Sequence, residues 1–268
     1  MLVKDKRIVV TGASGGVGTE LVIELLNRGA NVVAVSRNIE GLKMLREDLG
    51  VGNRLTIYAV DVSNKEAVFN AVEQMIQECK DIDGLINNAG IIQPFVDVND
   101  LSWDKIDQVL NVNFYGTLNF IKALLPELLK RSEAHIANIG SMGGFVPVPG
   151  QVVYCASKAA VKLLSEGLYA ELKYTNVGVS LIMPGGISTN IAKKSGVEVG
   201  ADAANSAAAK ILLSPKKAAV LIISAIEKNK RSMTIGIDSK VFFSLYKYFP
   251  TLAIHTMMKF LKRNKTKL

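Results

Sequence analysis

"RIVVTGASGGVGTELVIELLN", residues 7–27, joins a β-branched run to a glycine-rich turn and then to apolar residues at helical spacing from Val17 to Asn27. In the turn itself, Thr11 to Gly18, glycines allow a tight reversal and a close backbone approach, while the helix N-terminus that follows favours an anionic pyrophosphate. Alone, such a turn is weak information. Placed between a first strand and its helix, it predicts dinucleotide binding through Gly12, Ser14, Gly15, Gly16, Val17 and Gly18.

The same rhythm continues along the chain. "NVVAVSR", "LTIYAVD", "GLINNAG", "AHIANIGS", "VGVSLIMPG" and "SMTIG" are further candidate strands, and helical spacing fills the intervals, as from Asn64 to Glu78. Parallel strands need crossovers, so this alternation predicts an α/β fold: a doubly wound parallel sheet with helices on both faces. Ligands in such folds sit beyond the carboxyl ends of the strands. With 268 residues, 49% of them apolar, one large core can be buried, and residues 1–238 are expected to form it. The Ala-rich run from Gly200 to Ala209 reads either as a mobile lid or as a plain helix.

Composition narrows the function classes. The net charge of +8 belongs to the tail: Lys240 to Leu268 holds six lysines, one arginine and no acid, leaving +1 for the remainder. Without a zinc finger, an RNA-binding signature or aromatic–basic interleaving, no nucleic-acid partner is expected. Cys79 and Cys155 lack metal-ligand spacing and read as small apolar fillers, which fits a reducing compartment. "MLVKDKRIVVTG" has no long apolar h-region, and a cytoplasmic protein is expected. His135 falls inside a strand pattern and reads as buried filler; no metal site is visible.

The second strand ends in Ser36, Arg37 and Asn38. An acid there would bond the ribose hydroxyls of NAD, whereas a small residue followed by a cation suits the 2′-phosphate of NADP(H). Against this, Arg37 could be a solvated charge, and Gly15 leaves the glycine turn without an additional basic residue. Asp61 and Val62 close the third strand, as an adenine contact or, for Asp61, as a helix N-cap.

Tyr154 and Lys158, in "YCASK", stand four apart on one helix face, and so do Tyr169 and Lys173. An ammonium beside a phenol favours the phenolate. Bringing a phenol from about 10 to neutrality takes roughly 4 kcal/mol, about what a cation at about 4 Å supplies in an effective dielectric near 20. Either pair could make a proton-transferring tyrosine on this ground alone.

"TGASGGVG", "NNAG" at 87–90, "NFYG" at 113–116, Ser141, "YCASK" at 154–158 and "PGGIST" at 184–189, in this order, resemble the short-chain dehydrogenase/reductase family, the branch with a TGxxxGxG turn and a YxxxK pair. The resemblance spans residues 7–190 and implies a Rossmann-type domain, a nicotinamide cofactor and hydride transfer to or from a carbonyl or alcohol carbon. It also separates the two pairs. The family serine lies thirteen residues before the tyrosine, as Ser141 does before Tyr154, whereas counting back from Tyr169 gives Ala156. Tyr169 then reads as packing and Lys173 as solvated. By this resemblance Tyr154 transfers the proton, and Lys158 lowers its pKa and holds the nicotinamide ribose. Ser141 polarises the substrate oxygen, and Asn113 anchors a water that relays protons to Lys158, leaving Asn111 a helix polar residue. Asn88, Ala89 and Gly90 shape the cofactor floor; Pro184 and Gly185 turn beside the nicotinamide; Ile187 and Thr189 complete the cofactor contacts.

The expected activity is that of an NADPH-dependent carbonyl reductase or alcohol dehydrogenase for a lipophilic substrate. "GGFVPVPG", "IIQPF" after Gly90 and the chain from Ile187 to Leu213 are expected to form its apolar walls. Two alternatives are a 3-oxoacyl-carrier-protein reductase and a cofactor-binding scaffold without turnover. By family analogy the protein is expected to form homodimers or homotetramers. Residues 239–268 form an aromatic and basic extension in which Pro250 should end or kink a helix, and Ile254, Met257, Met258 and Leu261 share one face. That extension either contacts an anionic membrane surface peripherally or packs on the protein over the substrate pocket.

Overall fold

The computed structural model describes residues 1–197 and 212–265, so the Ala-rich run from Gly200 to Ala209 lies outside the described residues. The seven candidate strands all form: β1 (Arg7–Thr11), β2 (Asn31–Ser36), β3 (Leu55–Ala59), β4 (Gly84–Asn87), β5 (Ala134–Ile139), β6 (Val177–Pro184) and β7 (Ser232–Ile235). They pair in parallel in the order β3-β2-β1-β4-β5-β6-β7, with Val10 level with both Ala34 and Ile86. The direction of winding reverses between β1 and β4. In a doubly wound sheet that reversal opens a crevice at the carboxyl ends, and the glycine turn and "NNAG" lie on its two sides.

Both sheet faces are covered. Ile8 and Val10 face a core built with α1 (Val17–Asn27), α2 (Ile39–Leu49) and, from late in the chain, α8 (Pro215–Glu227). Val9, between them, faces the opposite core of α3 (Lys65–Cys79), α4 (Trp103–Leu110), α5 (Gly116–Leu128) and α6 (Val152–Glu171). Successive strand residues point to opposite faces, and here both are dry, which is why the strands read as continuous apolar runs. The α3 helix is capped by Asn64, whose side chain accepts from Ala67 N at 2.9 Å. Asp61 instead closes a local turn onto Ser63 and is not the cap.

Between α4 and α5 the chain winds a five-residue π-turn, Asn111–Tyr115. After β6 come a short helix α7 (Ile191–Lys194) and α8; α9 (Ile237–Tyr248) and α10 (Pro250–Lys265) follow β7. Phe249 leaves helical geometry and Pro250 opens α10, the first-turn position where a missing N–H costs nothing. A third, small core gathers here: Val146, Ala253 and Met257 are buried together, with Phe145, Phe242 and Leu245 packed around them. Among the described residues no helix is long and apolar enough to cross a membrane.

Candidate active site

The glycine turn and "NNAG" are bolted together across the crevice. Thr11 Oγ1 accepts from the backbone N–H groups of Asn88 and Ala89, both at 3.0 Å, and Asn88 Nδ2 donates to Thr11 O at 3.0 Å. Gly12, at φ +67°, comes so near this second segment that a Cβ would stand 2.8 Å from Ala89 Cα. Only glycine fits a left-handed backbone in that contact.

These segments wall a cavity of about 370 Å³ over the first turn of α1. Of the residues expected at the cofactor, Gly12, Ser14, Gly15, Gly16 and Val17 line it from the turn. Ser36 at the end of β2 and Arg37 and Asn38 just beyond it line it, as do Asp61 and Val62, which follow β3 in the turn before α3 rather than closing the strand, and Asn88, Ala89, Gly90 and Thr189 line it from the opposite side. Gly18, Tyr154, Lys158, Pro184, Gly185 and Ile187 do not line it. Gly18 lies beneath the turn against Gly12 O, while Pro184 ends β6 and Gly185 follows it. Ile187 forms a β-bridge with Leu213. The lining also includes Val60, Ile91, Val112, Asn190 and Ile191, which the motifs do not mark.

At the far end, Ser14 and Ser36 hydroxyls stand 2.6 Å apart, and Asn38 N donates to Ser36 Oγ at 3.2 Å. Arg37 is 55% exposed and its guanidinium lies 3.9 Å from Asp61. A pair that open to water is weak, so the guanidinium can turn to a better anion. The residues present therefore fit a dinucleotide: a glycine turn on a helix N-terminus for the pyrophosphate, and hydroxyls with a cation at the ribose end.

Ser141 follows β5 and caps a single turn, Met142–Gly144, accepting from Gly143 N at 3.0 Å. That turn packs against the start of α6. A Cβ on Gly144 would meet Lys158 O at 2.9 Å, and one on Gly143 would stand 3.3 Å from the Tyr154 ring, so side chains there would push α6 away. Tyr154 is the third residue of α6 and bonds to Ser141. Burial pushes its phenol up to about 12, with the Ser141 hydroxyl pulling the other way. Lys158, 6% exposed, donates to Ile139 O at 3.0 Å, and burial lowers its ammonium to about 8. This corrects the expected electrostatics: the lysine's dominant partner is a carbonyl and its own desolvation is large, so burial governs the phenol.

Asn113 is fully buried inside the π-turn. Its Oδ1 accepts from Ile91 N at 2.9 Å, and its Nδ2 donates to Ile91 O at 3.0 Å and Ser157 Oγ at 2.9 Å. Both amide hydrogens are committed, so a water relay could use only the side chain's remaining acceptor capacity or the backbone. A Cβ on Gly90 would lie 3.3 Å from both Asn113 Oδ1 and Lys158 Nζ, which shows how closely the three residues meet.

Sequence reasoning missed Gln93. It is fully buried within the supposedly apolar "IIQPF"; its Oε1 accepts from Tyr154 N at 2.9 Å and its Nε2 donates to Gly150 O at 3.1 Å. Gln151 returns the contact, Nε2 to Gln93 O at 2.7 Å. Gln93 thus satisfies the first turn of α6 from a distant loop, as an N-cap would. Two glutamines flanking an otherwise apolar wall were the available signal. Asp238 was missed too: its Oδ2 accepts from Gly186 N at 2.6 Å and fixes the turn after β6.

The second tyrosine pair is placed differently. Tyr169 packs into the core near the far end of α6, under the Arg231 guanidinium, and Lys173 is exposed over the Tyr174 ring. His135 is buried against Ser180, and burial drops its pKa to about 3. Among the described residues no cluster of His, Cys, Asp and Glu could hold a metal ion.

The family model for short chain dehydrogenases matches residues 6–199. The chain belongs to the short-chain dehydrogenase family. An uncharacterized oxidoreductase of Staphylococcus saprophyticus is 36% identical over 192 residues, 70% of this chain and 77% of that one. A Mycobacterium tuberculosis protein named as the oxidoreductase SadH is 31% identical over 244 residues, 88% of each chain. Among solved structures, a short chain dehydrogenase from Burkholderia cenocepacia in complex with NADP superposes with a TM-score of 0.80 at 27% identity, covering 96% of this chain and 99% of that one. One from Burkholderia phymatum in complex with NAD gives 0.79 at 25% identity, covering 87% and 90%. This short-chain dehydrogenase is accordingly an oxidoreductase with a nicotinamide cofactor, and its relatives include both NAD and NADP complexes.

Proposed function

We propose that this short-chain dehydrogenase is an NADPH-dependent carbonyl reductase or alcohol dehydrogenase for a lipophilic substrate. The observation that carries the reading is the meeting of Ser141, Tyr154 and Lys158 beyond the carboxyl end of β5, next to the Gly90 side of the dinucleotide cavity. A dinucleotide held by the glycine turn and by Ser36, Arg37 and Asn38 would supply or accept the hydride. Tyr154, held protonated by burial, gives its proton to the carbonyl oxygen, and Ser141 donates a second hydrogen bond to that oxygen as charge develops. Lys158, held by Ile139 O and close to Gly90, keeps a positive charge below about pH 8.

Ser36 and Arg37 support NADPH, since a guanidinium so exposed gains a charge-assisted partner in a 2′-phosphate that NADH does not offer. Met142 and Phe145 support an apolar substrate, because they continue the Ser141 turn as uncharged side chains backed by the buried Val146, Ala253 and Met257.

Cofactor oxidation should be followed with NADPH and NADH against long-chain ketones, steroids and retinals, with short polar ketones as the contrast. The expected result is at least about tenfold higher kcat/KM with NADPH, eroded mainly through cofactor KM in Arg37→Ala, and higher kcat/KM for the long-chain carbonyls. Equal efficiency with the two cofactors, or faster turnover of the polar ketones, counts against it.

A further inference from the structure

We propose that the corner between α9 and α10 is a membrane-docking surface for anionic lipid. The extension has two faces. Inward, Phe242, Leu245, Ala253 and Met257 pack on Phe145 and Val146, and the Phe145 and Phe243 rings meet edge to face at 5.2 Å. Outward, Ile237 is 73% exposed, Val241 57% and Tyr248 65%, a stripe along α9 at positions i, i+4 and i+11. The stripe runs into the corner, where Phe249 is 61% and Leu252 54% exposed and every residue from Lys247 to Leu252 is open to solvent. Single exposed apolar residues are ordinary; a run of five along one stripe and its corner is an interaction surface. The inner contacts show that the extension folds onto the body of the protein without using these residues.

Charge selects the occupant. Lys240 and Lys247 on α9 and His255 and Lys259 on α10 are exposed, and no acid occurs from Lys240 to the last residue. The neighbouring acids are engaged elsewhere, Asp238 by Gly186 N and Glu166 by Lys162. A second copy docking here about a two-fold axis would set this basic patch against itself, which like-charge repulsion opposes. An anionic bilayer complements both features, taking the aromatic corner into its interfacial region while lysines meet phosphate headgroups. Two short helices broken at Phe249 and carrying lysines lie on the bilayer rather than across it.

The test is co-sedimentation of the full chain with phosphatidylcholine vesicles, with and without phosphatidylglycerol. Phe249→Glu/Leu252→Glu and Lys240→Ala/Lys247→Ala are compared with the parent, all checked for melting temperature and solution mass. The expected result is binding to the anionic vesicles at low salt, at least about tenfold weaker on neutral vesicles or at high salt, and lowered about tenfold in either double variant with melting and mass unchanged. No binding to anionic vesicles, equal binding to neutral ones, or parent-like binding by both variants overturns the proposal. A lower solution mass in the variants, with no vesicle binding by the parent, assigns the corner to a second copy instead.

Discussion

At the scale of single residues, the reacting end of the site is governed by burial. Tyr154 and Lys158 are moved in opposite directions, the phenol up to about 12 and the ammonium down to about 8, because each is held in its uncharged direction by the same dry surroundings. The sign matters for the pH profile. The phenol remains a proton donor throughout the accessible range, so its ionisation does not limit reduction. The lysine is the group that titrates near neutrality, charged below about 8 and neutral above. The kcat/KM for carbonyl reduction is therefore expected to be level on the acid side of pH 8 and to fall above it, read from initial rates in NADPH oxidation. A profile that stays level to pH 10 contradicts Lys158 as the titrating group. The residue scale also shows what sequence cannot carry. "YCASK" announces the pair, but the partner of Lys158 is a backbone carbonyl, Ile139 O, and a carbonyl leaves no mark in a motif.

At the scale of elements, the strands and the helices between them were legible because both sheet faces are apolar, so each strand is a dense β-branched run whose limits are set by the adjoining turns. The first helix reads to its ends, Val17–Asn27, since a glycine turn precedes it. The π-turn at Asn111–Tyr115 was not legible, because it continues the helical pattern of α4 and differs only in hydrogen-bond register. The capping of α6 was hidden for another reason. Helix starts are sought in the preceding residue, and Gln151 makes no such bond; the acceptor for Tyr154 N is Gln93, 61 positions earlier. Gln93→Leu strands that N–H and leaves Gly150 O without its donor, a loss of about 1–3 kcal/mol for each buried group left unpaired. We expect kcat to fall by about tenfold or more with KM for NADPH nearly unchanged, because Gln93 does not line the dinucleotide cavity. Steady-state kinetics with a melting curve decides it: an unchanged kcat in a folded variant removes the positioning role.

At the scale of the whole molecule, the dinucleotide end and the substrate end are parts of one sheet edge, and the late elements are tied to it. Ser239 Oγ donates to Met183 O at 2.9 Å while Asp238 holds Gly186, so α9 starts from the turn that ends β6. The composition break at Lys240 reveals a basic segment but not these bonds, which join positions more than fifty residues apart. What the chain order did preserve was the distance from Ser141 to Tyr154, a spacing that spans one turn and the start of one helix and therefore survives folding as a contact. On the proposed function this tyrosine, and not the identically spaced Tyr169 deeper in α6, carries the proton. Turnover of an accepted carbonyl substrate by Tyr154→Phe and Tyr169→Phe, alongside NADPH binding by fluorescence titration, tests it most directly. Tyr154→Phe is expected to lose at least about a hundredfold in kcat with NADPH still bound, while Tyr169→Phe stays within a few-fold of the parent; comparable losses in both folded variants, or retained turnover in Tyr154→Phe, would remove Tyr154 as the proton donor.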